Sequence, residues 1–304
     1  METGRESVRA RAFAKINLGL AVLGTRADGY HLLRTGMQSI SLADELLLTR
    51  TEEAGITLCC DEPSLPTDGR NLAVRAAEAV FRYCGLSGGV RIELKKRIPA
   101  EAGLGGGSAD AAAVLRGLRA LFALPLGDEA LRSLALPLGA DVPFCVSGGT
   151  MLAEGIGEAL SPLSPMPPCH LVVVKPPCGS STKAVYAALS LQALRPWEQP
   201  DARLLENALR GQNVTLLGAS LQNALEKPAT ELYPVLLDYR QFLTESGAAG
   251  AAMSGSGSAF FAVFPEAERD RAEQCIATGK EQFPAATFFL CRPVSAEEVS
   301  ASTL

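Results

Sequence analysis

The sequence predicts an α+β protein of two domains, residues 1–162 and 163–304. Three patterns point there. Residues 8–20 alternate with period 2, as in a strand with one apolar face. Between Ile98 and Leu115, four glycines (Gly103, Gly105, Gly106 and Gly107) fall within five positions and run into an alanine-rich helical segment opened by Ser108. Leu160 to Pro168 then holds four prolines and two serines in nine residues, a natural break near residue 163. Beyond it the chain reads strand, helices, strand, strand, helix, strand.

Bulk properties bound the function. The chain has 304 residues, 47% hydrophobic and 20% charged, enough for two domains with separate cores. A net charge of −5 argues against a general nucleic-acid binder. It leaves room for a small anion held by backbone N–H groups. The eight cysteines form no C-x-x-C pair, and His31 and His170 are the only histidines, so no zinc site is expected. Cysteines in apolar runs fit the reduced thiols of a cytoplasmic protein. Met1 to Ser7 carries no apolar signal region, and no apolar run is long enough to span a membrane.

The elements follow in order. Val8, Ala10, Ala12, Ala14, Ile16, Leu18 and Leu20 share the apolar face of the first strand. Lys15 and Asn17 sit side by side on the other, where a solvated lysine is the plain expectation. Asp28-Gly29 signals a turn. Tyr30 and His31 follow it; they can stack on and hydrogen-bond a flat heterocycle, or simply cover the core edge. Met37–Thr49 reads as one or two strands, Gly55–Cys60 as a short one, and Asp61–Gly69 as loop. Leu72, Ala76, Ala79, Val80 and Tyr83 have helical spacing, with Gly85 as the stop. Val90, Ile92 and Leu94 mark a strand that runs into the glycine stretch. The helix after Ser108 carries a Val114, Leu115, Leu118, Leu121 and Phe122 stripe. Asp128 is placed to cap a short helix through Leu134. Asp141, among small and apolar neighbours, is expected to be half-buried with a partner. Val146–Ala153 reads as a hairpin around Gly148-Gly149. His170–Lys175 is a buried-type strand, and Ser180, Ser181 and Thr182 precede a helix bearing Tyr186. Residues 190–203, with the only tryptophan, Trp197, read as irregular. Helical patterns cover 204–209, 216–225 and 232–243; Phe260–Phe264 and Ala286–Cys291 are strands flanking a helix at Glu266–Ala277.

A glycine cluster that opens a helix aims several N–H groups at one point, a recipe for holding phosphate. Alone, it describes a loose turn equally well. No Lys follows Gly107, so it is not a Walker A loop; it lies about a hundred residues in, with no βαβ pattern read before it, so a dinucleotide fingerprint is not expected. The HRD and DFG elements of protein kinases are absent.

Pro99 with Gly103–Ala112 resembles the signature of the GHMP kinases, named for galactose, homoserine, mevalonate and phosphomevalonate. Three further blocks come in that family's order: Ala14–Leu18 with Asp28–His31, Leu138–Phe144, and Gly250–Ser258. Together they are similar to the branch acting on a cytidine diphosphate-linked methylerythritol. The resemblance implies a two-domain GHMP kinase fold, with a ribosomal protein S5 domain 2-like N-terminal domain and a ferredoxin-like C-terminal domain around a cleft. It implies ATP as co-substrate, Mg2+, and phosphorylation of the tertiary 2-hydroxyl in non-mevalonate synthesis of isopentenyl diphosphate. By the same resemblance, Pro99, Ala100, Glu101, Ala102, Gly103, Leu104, Gly105, Gly106, Gly107 and Ser108 bind ATP, and Ser108 reaches the metal. Asp141 is the general base and Lys15 its cationic partner, with Asn17 beside it on substrate. Tyr30 stacks on the cytosine, His31 bonds its edge, Tyr186 is the second aromatic of a sandwich, and Gly255, Ser256 and Gly257 close the diphosphate side. Ala109 stands where many members carry serine, which removes one hydroxyl contact. Two alternatives are a GHMP kinase for homoserine or mevalonate, and a non-catalytic nucleotide-binding protein. A monomer or homodimer without nucleic-acid or membrane partners is expected.

Overall fold

The computed structural model describes residues 5–27, 29–191 and 199–303; Asp28 of the predicted turn and Trp197 lie outside them. The chain begins with β1 (Ser7–Thr25), β2 (His31–Thr51), β3 (Gly55–Cys60), α1 (Leu72–Cys84) and β4 (Gly89–Lys95). It continues with α2 (Gly106–Leu121), α3 (Asp128–Ala135), α4 (Val142–Ser147), β5 (Thr150–Gly155) and β6 (Ala159–Pro162). The second half holds β7 (Cys169–Lys175), α5 (Thr182–Ala188), α6 (Ala202–Arg210), α7 (Val214–Ser220), β8 (Gln222–Asn223), α8 (Glu226–Leu232) and α9 (Leu236–Glu245). It closes with β9 (Gly250–Met253), β10 (Phe260–Pro265), α10 (Arg269–Gln282), β11 (Thr287–Cys291) and α11 (Ala296–Ala301).

The first sheet runs β3-β4-β2-β1-β8, and β5 pairs with both β2 and β6. The second runs β11-β7-β10-β9, antiparallel throughout, the strand order of a ferredoxin-like βαββαβ unit. The chain leaves the first sheet after Pro162 and enters the second at Cys169. β8 returns to pair in parallel with Gly19 and Leu20 of β1.

The buried clusters do not divide at the predicted boundary. The period-2 alternation of β7 sends Leu171 and Val173 to one face, and Val172 and Val174 to the other. The first pair joins Ile16, Leu48, Leu115 and Phe144 in a core that both sheets share. The second packs with Phe260, Phe264, Leu225 and Leu236. Burial on both faces requires partners from both halves, which local pattern does not reveal.

Other expectations change for equally physical reasons. Alternation in β1 ends at Arg11; from Ala12 to Val22 both faces are buried. Phe13, expected outside, packs with Ala43, Val294 and Val299 under the C-terminal segment. The β1–β2 ladder is irregular between Phe13 and Lys15, and again between Asn17 and Gly19. Such bulges re-aim side chains. Helix α2 starts at Gly106 rather than Ser108, and Gly127, not Asp128, takes the cap position of α3. Gly148-Gly149 is a helix-to-strand turn and not a hairpin. Gly148 has φ +67°, and a Cβ there would collide with Val299 of α11, an element without a sequence signal. The 216–225 helix stops at Ser220, and the 232–243 helix divides between α8 and α9. The 266–277 helix becomes a 3-10 turn followed by α10, which runs on to Gln282.

Phe261 is fully buried in the shared core. Phe261→Ala is therefore expected to cost about 3–5 kcal/mol, read as a drop in the urea midpoint with m unchanged.

Candidate active site

Lys15 lies between the two irregularities of β1 and is only 4% exposed. A buried ammonium needs anionic and polar partners. Its Nζ donates to Asn17 Oδ1 at 2.8 Å and lies 3.3 Å from Asp141 Oδ2. Asn17 Nδ2 donates in turn to Thr35 Oγ1 of β2 at 2.9 Å. Asp141 stands at the N-cap position of α4, yet its carboxylate caps nothing; it is directed at Lys15. The solvated lysine expected from the strand pattern is thus a buried one, and the partner that Asp141 required is Lys15. Cys145, one turn along α4, is no nucleophile: burial, with Asp141 adding to it, pushes its thiol up to about 12.

The glycine stretch meets this pair directly. Lys15 N–H donates to Leu104 O at 2.9 Å. A Cβ on Gly105 would lie 3.0 Å from Lys15 Cγ, a tight contact at a residue whose left-handed φ already favours glycine. Gly103 and Gly105 adopt left-handed φ values of +72° and +70°. The second glycine turn closes on the first: Ser254 Oγ donates to Gly103 O at 2.9 Å, and a Cβ on Gly103 would strike Ser254 O. Asn223 Nδ2 fixes that turn by donating to Met253 O and Gly255 O at 2.8 and 2.7 Å. Among the described residues, the backbone N–H groups from Gly103 to Ser108 donate to no protein acceptor. With the N-terminus of α2 behind them, they form an anion-binding concavity.

A cavity of about 770 Å³ joins these parts. Lys15, Asn17, Asp141, Gly103, Gly105 and Ser108 line it, with Gly255 close beside Lys15 Nζ and Asn17 Oδ1. Ser256, Tyr30, His31 and Tyr186 line it as well. The remaining predicted positions fall elsewhere. Ala102 and Leu104 are core residues. Glu101 and Ala102 use their carbonyls to accept N–H bonds from Ser180, Ser258 and Ala259, tying the two glycine turns together. Gly106 backs onto Ile98 and Gly107 onto Leu72, within the first turn of α2. Pro99, Ala100 and Gly257 do not line this cavity, and Gly257 packs against Met253.

Tyr30, His31 and Tyr186 lie along the same cavity. Tyr186 lies against His31, with ring centroids 4.9 Å apart and planes inclined by 34°. Tyr30 stands at the rim, 61% exposed. Helix α5 carries Tyr186 to the His31 side because its N-terminus is held by the second glycine turn: Thr182 Oγ1 and Ser256 Oγ are 2.8 Å apart. Burial, followed by the nearby Asp141 charge, raises the Tyr186 phenol above its ordinary range. Thr182 and Lys183 also line the cavity. Sequence reading took their segment only as a helix start.

The family relationship follows from comparison with known proteins. Residues 71–149 match the GHMP kinases N terminal domain and residues 201–284 the GHMP kinases C terminal domain. A 4-diphosphocytidyl-2-C-methyl-D-erythritol kinase of Acetivibrio thermocellus is 43% identical over 259 residues, 85% of this chain and 90% of that one. The protein of the same name from Lachnospira eligens is 41% identical, covering 86% and 90%. A crystal structure of 4-(cytidine 5'-diphospho)-2C-methyl-D-erythritol kinase superposes with a TM-score of 0.78 at 39% identity, covering 93% of this chain and 99% of that one. Homoserine kinase from Cytophaga hutchinsonii shares the fold at 20% identity, with a TM-score of 0.78 and coverage of 97% and 98%. The chain belongs to the GHMP kinase family.

Behind the glycine loop lies a charge cluster that sequence reading missed, because its members are far apart in the chain. Lys96 Nζ bridges Asp44 Oδ2 at 2.5 Å and Asp110 Oδ2 at 2.6 Å. Asp44 also accepts the N–H groups of Arg97 and Ile98. Asp110 Oδ1 has no partner among the described residues. One ammonium thus faces two buried carboxylates. Burial raises the Asp110 carboxyl; Lys96 opposes this and Asp44 adds to it, leaving it at about 8. A carboxyl raised on folding contributes stability that is full below its unfolded pKa and lost as pH rises through the folded value. The wild type is therefore expected to lose stability relative to Asp110→Asn between about pH 4 and 8, measured as urea-unfolding free energies of both proteins across that range. A constant difference would show that Asp110 does not titrate there.

Proposed function

We propose that this GHMP kinase transfers the γ-phosphoryl group of ATP to the 2-hydroxyl of 4-diphosphocytidyl-2-C-methyl-D-erythritol, a step in non-mevalonate isoprenoid precursor synthesis. The observation that carries the reading is the Lys15–Asp141 pair, 3.3 Å apart, in a cavity that the glycine loop and Tyr30, His31 and Tyr186 also line. Relatives bearing that kinase name, 40% or more identical over most of the chain, support the same substrate.

In this reading Asp141 accepts the proton of the 2-hydroxyl as its oxygen bonds the γ-phosphorus. The bond from phosphorus to the β–γ bridging oxygen breaks and ADP leaves. Lys15 keeps Asp141 ionised and offsets charge on the transferring group. The N–H groups from Gly103 to Ser108 hold the ATP phosphates, and the turn at Gly255-Ser256 faces the diphosphate of the acceptor. Tyr30 and the His31–Tyr186 pair receive the cytosine. Residues 1–162 supply the ATP side together with Asp141, Tyr30 and His31 for the acceptor, and 163–304 add Tyr186 and the Gly255-Ser256 turn.

Among the described residues no three His, Cys, Asp or Glu side chains cluster as a metal cage. That fits Mg2+, which keeps several waters and binds mainly through substrate phosphates. Ser108 is the hydroxyl placed to join it, and the ion supplies charge neutralisation on the phosphates. Eight free cysteines support a reducing, cytoplasmic setting.

A coupled ADP-release assay is expected to show turnover with the cytidine substrate and none with homoserine or mevalonate. Activity with either of those alcohols alone would overturn the assignment. Asp141→Asn should lower kcat by about 10²–10⁴ while ATP still binds; near-normal turnover would remove Asp141 as base. Tyr30→Ala should raise KM for the cytidine substrate by roughly five- to a hundredfold, the worth of one stacked base, with KM for ATP unchanged.

A further inference from the structure

Arg116 lies on α2, ten residues after Gly106, and is only 2% exposed. Among the described residues it forms no ion pair with a carboxylate, and its Nε has no hydrogen-bond partner. Burying a guanidinium this way is costly. Its neighbours on the helix, Val114, Leu115 and Leu118, are fully buried apolar residues, so the position is one that an apolar side chain suits.

The guanidinium makes two hydrogen bonds, each to a different element. Nη1 donates to Cys145 O of α4 at 2.7 Å, and Nη2 donates to Arg11 O of β1 at 3.1 Å. Cys145 N–H donates to Asp141 O at 3.1 Å, so one helical turn separates Arg116 from the residue that faces Lys15. Cys145 O is near the end of α4, where carbonyls lack helical partners and a cation is favoured. Arg11 stands four residues before Lys15 on β1, just ahead of the irregular register. The helix that carries Arg116 is itself the one that the glycine loop opens. One side chain therefore ties together the elements bearing Lys15, Asp141 and the phosphate cradle.

We infer that Arg116 is a positioning residue that holds the Lys15–Asp141 pair in register with the glycine loop. The inference rests on the catalytic reading of that pair. Arg116 touches no substrate; it acts through the backbone of β1 and α4. Losing its donors takes a hydrogen bond from each of the carbonyls of Arg11 and Cys145 and frees α4 to shift against β1. A shift near 1 Å in a reacting group is enough to cost up to about a hundredfold in rate.

The test is a double-mutant cycle on steady-state kinetics with ATP and the cytidine substrate. Arg116→Met, which keeps bulk and removes the donors, is expected to lower kcat by roughly ten- to a hundredfold, with both KM values within about twofold of wild type. In an Asp141→Asn background the same change should have little further effect on kcat, because the group it positions is already disabled. If Arg116→Met does not fold, Arg116→Lys, which retains charge and loses the forked geometry, is measured in the same way. Wild-type kcat in a folded variant overturns the inference, whatever its melting temperature. So does an equal loss of kcat in both backgrounds, which is the signature of a merely structural role. Asp141→Asn separates the two ideas: if it alone leaves turnover intact, the catalytic reading fails and the inference with it. If it abolishes turnover while Arg116→Met does not impair it, only the inference fails.

Discussion

A lysine buried at 4% exposure on a central strand is the constraint on which this structure turns. Ammonium in such a place is unstable without partners. Asp141 from α4 and Asn17 from its own strand partner the ammonium, while the first glycine turn accepts its backbone N–H through Leu104 O. The irregular β1–β2 register aims Lys15 and Asn17 inward. Helix α4 presents a carboxylate spared from capping. Gly105 admits the lysine stem. A change in any of these alters the surroundings of a single Nζ.

The two halves of the molecule are held to that point by their glycine turns. Ser254 and Gly103 are 151 residues apart in sequence, yet side chain and backbone meet at 2.9 Å. Glu101 and Ala102 extend the same seam through their carbonyls. Glu101 and Ala102 do not line the cavity; their part is to fix the distance between its walls. Glycine is needed at Gly103 for contact as well as conformation, since its φ is +72° and a Cβ would strike the opposite turn.

Local signals were legible where local physics decides. Asn71 and Gly85 bracket α1 as a side-chain cap and a left-handed stop, as its spacing predicts. The α2 stripe and the β7 run each name their own burial. The family resemblance, carried by four ordered blocks, supplied what spacing did not: that Lys15 and Asp141 belong together. What stayed hidden depends on who covers whom. The second face of β1 reads as polar because its cover, from Val294 and Val299, lies nearly 300 residues away in the chain. The Lys96 cluster draws on residues 44, 96 and 110, and none of the three stands out alone. The His31–Tyr186 contact depends on where α5 is anchored, which no spacing within α5 records.

The charge arrangement explains how an acidic protein can serve anionic ligands. Lys15 is matched by Asp141, and Lys96 by two carboxylates, so neither buried cation presents an unbalanced charge. In the proposed reading, attraction for phosphate then falls to the N–H groups of the first glycine loop, fixed dipoles that need no counter-ion and undergo no titration near neutral pH. This division has a chemical consequence. A lysine already engaged with a carboxylate does not bind ground-state phosphate as strongly as an isolated one. In the proposed reaction it gains most when the carboxylate takes up a proton and negative charge moves onto the transferring group, which is the moment at which its stabilisation counts toward rate.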